Sequence, residues 1–372
     1  MIIKTVTCHH VYNYGATLQA YALQTYLESL GHEVEIIDYR LPFHIRYELF
    51  TPYPHGRVYR LIKAIPLLRY LLCPLKNRKM LLTWGRKKAF DNFDRKFLHI
   101  TSTTYRQVSE IQKNPPLADV YIAGSDQIWN TDSLNGKDPG YYLDFGKKDT
   151  KRISYAASFG ISEIKKGWED FVAEKLRIFN AISVREKSGV SILEHLGLHG
   201  SLVVDPVFLL DKQQWMSNLK LKEMHEDYIF LYDFLHDDEN IRNFTLSLSE
   251  NTGCHILAIN DFSNTPYADV QINNAGPIEF LQYLLNAKYV VSNSFHATAF
   301  SLIFQKEFAT FPLVSQRNST RIENILKEAG LASRFMPKEV ETFNKPIDWR
   351  EVDTKISKLI TYSKQFLSIN LK

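Results

Sequence analysis

The spacing of apolar positions along this chain changes several times, and each change marks an element. Residues 2–7, IIKTVT, form a short apolar run of β character, followed by the loop CHHVYNYGA. In ATLQAYALQTYLESLG the apolar residues Leu18, Ala22, Tyr26 and Leu30 recur at helical spacing and stop at Gly31. HEVEIIDY is a second strand, so the first forty residues predict a βαβ unit and with it a parallel sheet. The periodicity breaks over residues 43–100, where Arg, Lys, Tyr and Leu mix with Pro52, Pro54, Pro66 and Pro74; this predicts an irregular helical insertion. Strand-then-loop shapes return at VYIAGSDQIWN and RISYAASFG. WEDFVAEKLRIFNAISVRE reads as helix then strand, SGVSILEHLGL as a helix, and SLVVDPVFLL as a strand and turn.

A second series starts near residue 226. DYIFLYDF, a helix through NIRNFTLSLSENTG, and CHILAIND form another βαβ unit. GPIEFLQYLLNA, HATAFSLIFQ and TRIENILKEAGL read as helices around the strands KYVVSNS and EFATFP, and an amphipathic helix from DWREVD to the C-terminus closes the chain. The expected fold is therefore α/β: two Rossmann-like domains, residues 1–210 and 215–345, with a ligand cleft between them. A C-terminal helix, 346–372, is expected to pack across the junction.

Composition narrows the class of function. At 372 residues, with 45% hydrophobic and 23% charged residues, the chain suits a folded two-domain protein. No run approaches the ~18–20 apolar residues of a membrane span. The N-terminus MIIKTVTCHH has no charged leader with a long apolar stretch. Cys8, Cys73 and Cys254 are too scattered for a disulfide scaffold or a zinc site. Together these predict a cytoplasmic protein. A net charge of +4 is too mild for nucleic acid, and fits a small anionic substrate or an anionic membrane surface. Residues 60–88 mix apolar and basic side chains, as an interfacial segment at the inner membrane face would, or an internal helical subdomain.

Candidate chemistry collects where strands give way to helices. SNSFHATA places Ser294, Phe295 and His296 at such a junction, where backbone N–H groups converge; a capping or packing role would use the same residues. Asn13, Tyr14 and Gly15 lie in the first strand–helix loop, which lacks the GxGxxG of a dinucleotide site. Gly124, Ser125, Asp126 and Trp129 follow the strand VYIA and could hold a sugar, or simply end the strand over a buried Trp. Arg185 at a strand end can grip a carboxylate or phosphate with a bidentate fork, or pair with Glu186. Arg317, Asn318, Ser319 and Arg321 open a helix, well placed for an anion or for capping. No zinc spacing, Walker motif, serine elbow or DxD metal site is present, so neither metal nor cofactor is expected.

Taken in order, NYGATLQAYAL, AGSDQIWN, SYAASFG, SVREKSG, VVDPVFLL, GPIEFLQYLLNAKYVVSNSFHATAFSLIFQ and NSTRIENILKEAGL resemble the polysaccharide pyruvyl transferase family. The resemblance implies a fold similar to two-domain GT-B glycosyltransferases. It also implies transfer of a pyruvyl unit from phosphoenolpyruvate to a sugar, usually as a ketal bridging two hydroxyls of a glycan or lipid-linked oligosaccharide. By the same resemblance Arg185, Ser294, Phe295 and His296 fall on the donor side, where Asn318, Ser319 and Arg321 are placed by their position at a helix start; Asn13, Tyr14, Gly15, Gly124, Ser125, Asp126 and Trp129 are assigned to the acceptor side from their own chemistry, Trp129 as packing beneath the loop. His296 and Arg185 are the expected catalytic pair. Relatives often carry Arg–Leu–His where this chain has Ser294–Phe295–His296, which leaves the donor one cationic grip short unless Arg321 or Arg317 supplies it. A sugar-nucleotide glycosyltransferase of GT-B type and a non-catalytic glycan-binding relative are the alternatives.

Overall fold

The computed structural model describes residues 1–41, 57–76, 83–234, 239–261, 263–313 and 320–372. Its first unit is β1 (Ile2–Val6), α1 (Tyr14–Ser29) and β2 (Glu33–Tyr39), with Ile3 opposite Val34 in a parallel pair. Helix α1 begins ahead of the apolar repeat that marks it in the sequence. Asn13 supplies the reason: its side-chain oxygen accepts from Ala16 N at 3.0 Å and fixes the first turn at Tyr14. Helices α2 (Arg57–Ala64), α3 (Arg69–Lys76) and α4 (Trp84–Phe97) form the described part of the insertion. Then come β3 (Ile100–Tyr105), α5 (Val108–Lys113), β4 (Val120–Ala123) and β5 (Lys151–Ser154). These strands make one parallel sheet in the order β3-β2-β1-β4-β5.

Helix α6 (Glu169–Leu176), β6 (Ser183–Val184), α7 (Lys187–His195) and β7 (Ser201–Leu202) follow; single bridges join Val184 of β6 to Ala157 in the loop beyond β5, and Ala157 to Asp126 beyond β4. SLVVDPVFLL yields only the two residues of β7. Pro206 cannot donate to a ladder, and Asp205 instead caps a short turn over Pro206–Leu209. Helix α8 (Lys212–Leu219) leads into the second sheet. That sheet is built from β8 (Tyr228–Tyr232), α9 (Glu239–Thr252), β9 (His255–Ile259), β10 (Val270–Ile272), α10 (Pro277–Asn286), β11 (Tyr289–Ser292), α11 (Phe295–Ile303) and β12 (Glu307–Thr310). Its order, β10-β9-β8-β11-β12, repeats the first, and every pair is parallel. The central strand β8, YIFLY, is buried throughout, as a strand covered on both faces must be.

Helix α12 (Thr320–Ala329) precedes the long α13 (Trp349–Asn370). Helix α13 crosses back to the first half, where Val204 N donates to Ser363 Oγ at 2.9 Å and Tyr362 donates to Ser201 Oγ at 3.2 Å. Two Rossmann-like sheets joined by a returning C-terminal helix are the expected GT-B-like arrangement. One apolar cluster runs beneath both: Ile3, Leu18 and Val120 from the first half belong to the same core as Tyr228, Phe280 and Phe300 from the second. Trp215 of α8 lies between, against Tyr21 on one side and Phe300 on the other. In each sheet the strand order turns between its first and fourth members, β1 and β4, then β8 and β11. Open parallel sheets keep ligands beyond the carboxyl ends of such strands.

Candidate functional site

Arg185 leaves the end of β6 and is almost completely buried. Its Nη1 donates to Asp205 Oδ2 at 2.5 Å and to Ser125 Oγ at 3.0 Å, while Nη2 lies 3.6 Å from Asp126 Oδ1. The partner is thus Asp205, not the neighbouring Glu186. Burial alone would raise the Asp205 carboxyl, yet His296 and Arg185 beside it hold it well below the ordinary carboxylate range. Asp205 is itself fixed: its other oxygen accepts from Val207 N at 3.2 Å, and Ser125 Oγ donates to Oδ2 at 3.1 Å.

His296 arrives from the second half, in the first turn of α11, and its Nε2 stands 3.6 Å from the same Asp205 Oδ2. Across the junction its ring lies on the start of α1: a Cβ at Gly15 would overlap His296 Nδ1. Gly15 is therefore needed for want of a side chain. Ser294 caps α11, accepting from Ala297 N at 3.4 Å. The Phe295 ring has a guanidinium carbon near it on each count, Arg185 at 5.5 Å and Arg321, from α12, at 5.6 Å. Among the described residues no carboxylate lies within ion-pairing distance of Arg321. Burial, and then the like charge of Arg185, push its guanidinium down to about 10.

Several buried polar atoms here have no hydrogen-bond partner among the described residues: Arg185 Nε and Nη2, His296 Nε2, and one oxygen of Glu186. Three of the four are nitrogens on residues that meet at Asp205, and buried groups of this kind are nearly always paired. The surrounding backbone is strained. Asp126 at φ 85° and Ala156 at φ 55° sit in the left-handed region, where non-glycine residues are uncommon and cluster at functional sites. Glu186 is anchored through its second oxygen, which accepts from Phe159 N at 2.7 Å and Gly160 N at 3.2 Å.

The sequence-predicted residues divide clearly. Arg185, Ser125, Asp126, Ser294, Phe295, His296, Gly15 and Arg321 come together, with Asn13 half-buried at the α1 cap beside them. Gly124 lies against Thr7 within the sheet end. Two residues assigned to the acceptor side lie inside the core. Trp129 is completely buried, its Nε1 donating to Tyr141 O at 3.1 Å, so it packs beneath the loop and offers no face to a sugar. Tyr14 is consumed by the junction, stacked on Phe280 at 4.3 Å with its hydroxyl donating to Ala275 O at 2.9 Å. Asn318 and Ser319, like Arg317, lie outside the described residues. Sequence reasoning missed Asp205 and Glu186. The Asp–Pro step directly after an apolar run was the available signal for Asp205. Among the described residues no group of three or more His, Cys, Asp or Glu side chains could hold a metal ion.

A family model described as polysaccharide pyruvyl transferase matches residues 13–313. No curated protein matches the chain. Among solved structures, the UDP-GlcNAc 2-epimerase of Methanocaldococcus jannaschii is similar at 13% identity and a TM-score of 0.49, over 97% of this chain and 100% of its own. The UDP-GlcNAc 2-epimerase of Neisseria meningitidis is similar at 9% identity and 0.44, over 99% and 93% of the two chains. The E. coli heptosyltransferase WaaC is similar at 12% and 0.38, over 88% and 99%. The family match spans both sheets and includes Arg185, Asp205 and His296. This chain belongs to the polysaccharide pyruvyl transferase family and is a transferase.

Proposed function

We propose that the site takes phosphoenolpyruvate as donor and moves its pyruvyl unit onto a pair of hydroxyls of a cell-surface glycan or its lipid-linked precursor. The observation that carries this reading is the set of buried nitrogens without a hydrogen-bond partner among the described residues, Arg185 Nε and Nη2 with His296 Nε2, next to Arg321, which has no described carboxylate within ion-pairing distance. A ligand with two anionic groups would satisfy them: Arg185 and Arg321 bind its charges, and the backbone at the start of α11 adds N–H donors. Arg321 supplies the grip that relatives take from the position of Ser294. In the reaction a sugar hydroxyl oxygen bonds to C2 of the donor and the C2–O bond to phosphate breaks. C3 gains a proton to become a methyl group, and a second hydroxyl closes the ketal. Of the two hydroxyl protons released, one balances the methyl group and the other leaves with phosphate. His296 moves a proton in this sequence, since imidazole donates and accepts near neutrality. Asp205 orients both His296 and Arg185. Asp126 and Asn13, at the exposed rim, orient the acceptor.

A sugar-nucleotide donor has less support. The start of α10, a natural place for a diphosphate, is covered: Gly276 N donates to Glu279 at 3.0 Å, and a Cβ at Gly276 would lie 2.7 Å from Ala89 Cβ of α4. Thermal melting with phosphoenolpyruvate, UDP and UDP-GlcNAc tests the reading. Stabilisation by phosphoenolpyruvate alone is expected, along with a drop of ~10²–10⁴-fold in turnover for His296→Ala, the typical worth of acid–base catalysis. Stabilisation by a nucleotide instead would transfer the chain to the glycosyltransferase reading, and stabilisation by none to the non-catalytic one.

A further inference from the structure

The chain's charge is unevenly distributed. Residues 49–90 hold ten of its 45 basic residues and none of its 41 acidic ones, so the rest of the chain is net negative. Within this stretch, α2 and α3 are joined by a single turn at Pro66–Leu68. Their packed side is visible in Ile62 and Cys73, both buried. Their other side is turned outward and apolar: Leu61, Ile65 and Leu71 are about half exposed or more, and Leu67 is 78% exposed. Arg57, Arg60 and Arg69 stand exposed on the same two helices, and Tyr70 and Trp84 add exposed rings. Arg69 donates to the Tyr70 hydroxyl at 2.6 Å, which keeps ring and charge together at one level.

Large aliphatic side chains at this exposure, on the same two helices as exposed arginines and an aromatic ring with a polar tip, match the interface of an anionic bilayer. The apolar side chains enter the acyl boundary, Tyr and Trp sit at the headgroups, and the arginines meet the lipid phosphates. A protein partner of ordinary composition would answer the apolar surface but not the exposed Arg57, Arg60 and Arg69, which stand in a stretch of sequence without a single acid. Among the described residues no helix is long and apolar enough to cross a membrane, so the contact lies on the surface.

We infer that α2 and α3 dock the protein onto an anionic lipid surface. The net negative remainder of the chain is repelled by the same surface, which orients the molecule with this face down. The face is also linked to the site. Arg86, in the first turn of α4, donates to Tyr12 O at 2.8 Å and pairs with Asp261 at 2.7 Å, tying the base of the docking segment to the loop that carries Asn13. A lipid-linked acceptor would thus reach the proposed acceptor rim from the membrane side. The docking itself does not depend on the pyruvyl-transfer reading.

Vesicle flotation tests it with the full chain. Binding is expected to vesicles of phosphatidylcholine with phosphatidylglycerol, and not to phosphatidylcholine alone. It should be strong at about 0.01 M salt and weak at about 1 M, as the screening length falls from about 30 to about 3 Å. Each arginine near the surface contributes about fivefold in partitioning, so R57Q/R60Q/R69Q together should weaken binding about a hundredfold. Leu67→Glu with Leu71→Glu should abolish it, while both variants keep the parent melting temperature because the altered side chains are exposed. Equal binding to neutral vesicles, no binding to either kind, or self-association at micromolar protein that the same substitutions remove would overturn the inference.

Discussion

Replacing Arg321 by glutamine should strengthen the ligand-free fold and weaken donor binding at once. Its guanidinium stands near Arg185 over one phenylalanine ring, and burial with that like charge lowers it to about 10, so the folded state accommodates the cation poorly. A base whose folded value is lowered destabilises the fold while charged. The penalty is in full force at pH 7 and is relieved only above pH 10. A lowering of this size corresponds to at most about 3–4 kcal/mol, and partial exposure of the side chain reduces this to about 1–2. Glutamine forfeits a cation–π contact of about 0.5–1 kcal/mol with Phe295, leaving a net gain near 1 kcal/mol. Against this, a hydrogen bond to a charged group is worth about 1.5–3 kcal/mol, so phosphoenolpyruvate should bind roughly 10- to 150-fold more weakly. Melting curves with and without phosphoenolpyruvate read both effects in one experiment. The reasoning is refuted if the variant melts lower than the parent while the ligand stabilises it just as much, since Arg321 would then be a packing group.

Gly15→Ala should lower kcat at least about tenfold and cost about 1–3 kcal/mol of stability, because its methyl group displaces the buried His296 ring; steady-state kinetics and melting curves decide it. Asp205→Asn should destabilise by about 3–5 kcal/mol in urea unfolding, since it leaves Arg185 buried and unpaired. The depressed Asp205 carboxyl stabilises the parent above pH ~4 and loses that contribution as the pH falls toward its native value, so the difference between the two should shrink in acid. Asp94, in α4, is pushed up to about 7 by burial. Its contribution is fully present below pH ~4 and lost as the pH rises through 7, so Asp94→Asn should gain on the parent between pH 5 and 8 by at most about 3 kcal/mol in the same assay.

Much of the fold was legible because fully buried parallel strands are short apolar runs, as in YIFLY and YVVS, and because helices such as α10 carry a wide apolar stripe. The edge strands were not. ITSTTY of β3 has three exposed residues among its six, and VQI of β10 is too short and too open to leave a pattern. The site was legible piece by piece: Arg185 and His296 each stood at the end of an apolar run. Their meeting was not, because it depends on the two halves closing so that both reach one oxygen of Asp205. Asp205 itself hid inside VVDPVFLL, where its neighbours suggested a strand. The sequence exposed the missing arginine at Ser294, but only the placement of α12 brings Arg321 to the same phenylalanine.

The apolar core that continues beneath both sheets has an architectural consequence. Where two domains meet only through a polar seam, each can be inherited, exchanged or expressed alone. Here Trp215 and Tyr14 are shared property, and each half cut from the other would expose aromatic surface belonging to neither. The symmetry of the two sheets therefore describes how the chain is laid out and not how it can be divided. The smallest heritable piece of this protein is the whole of it.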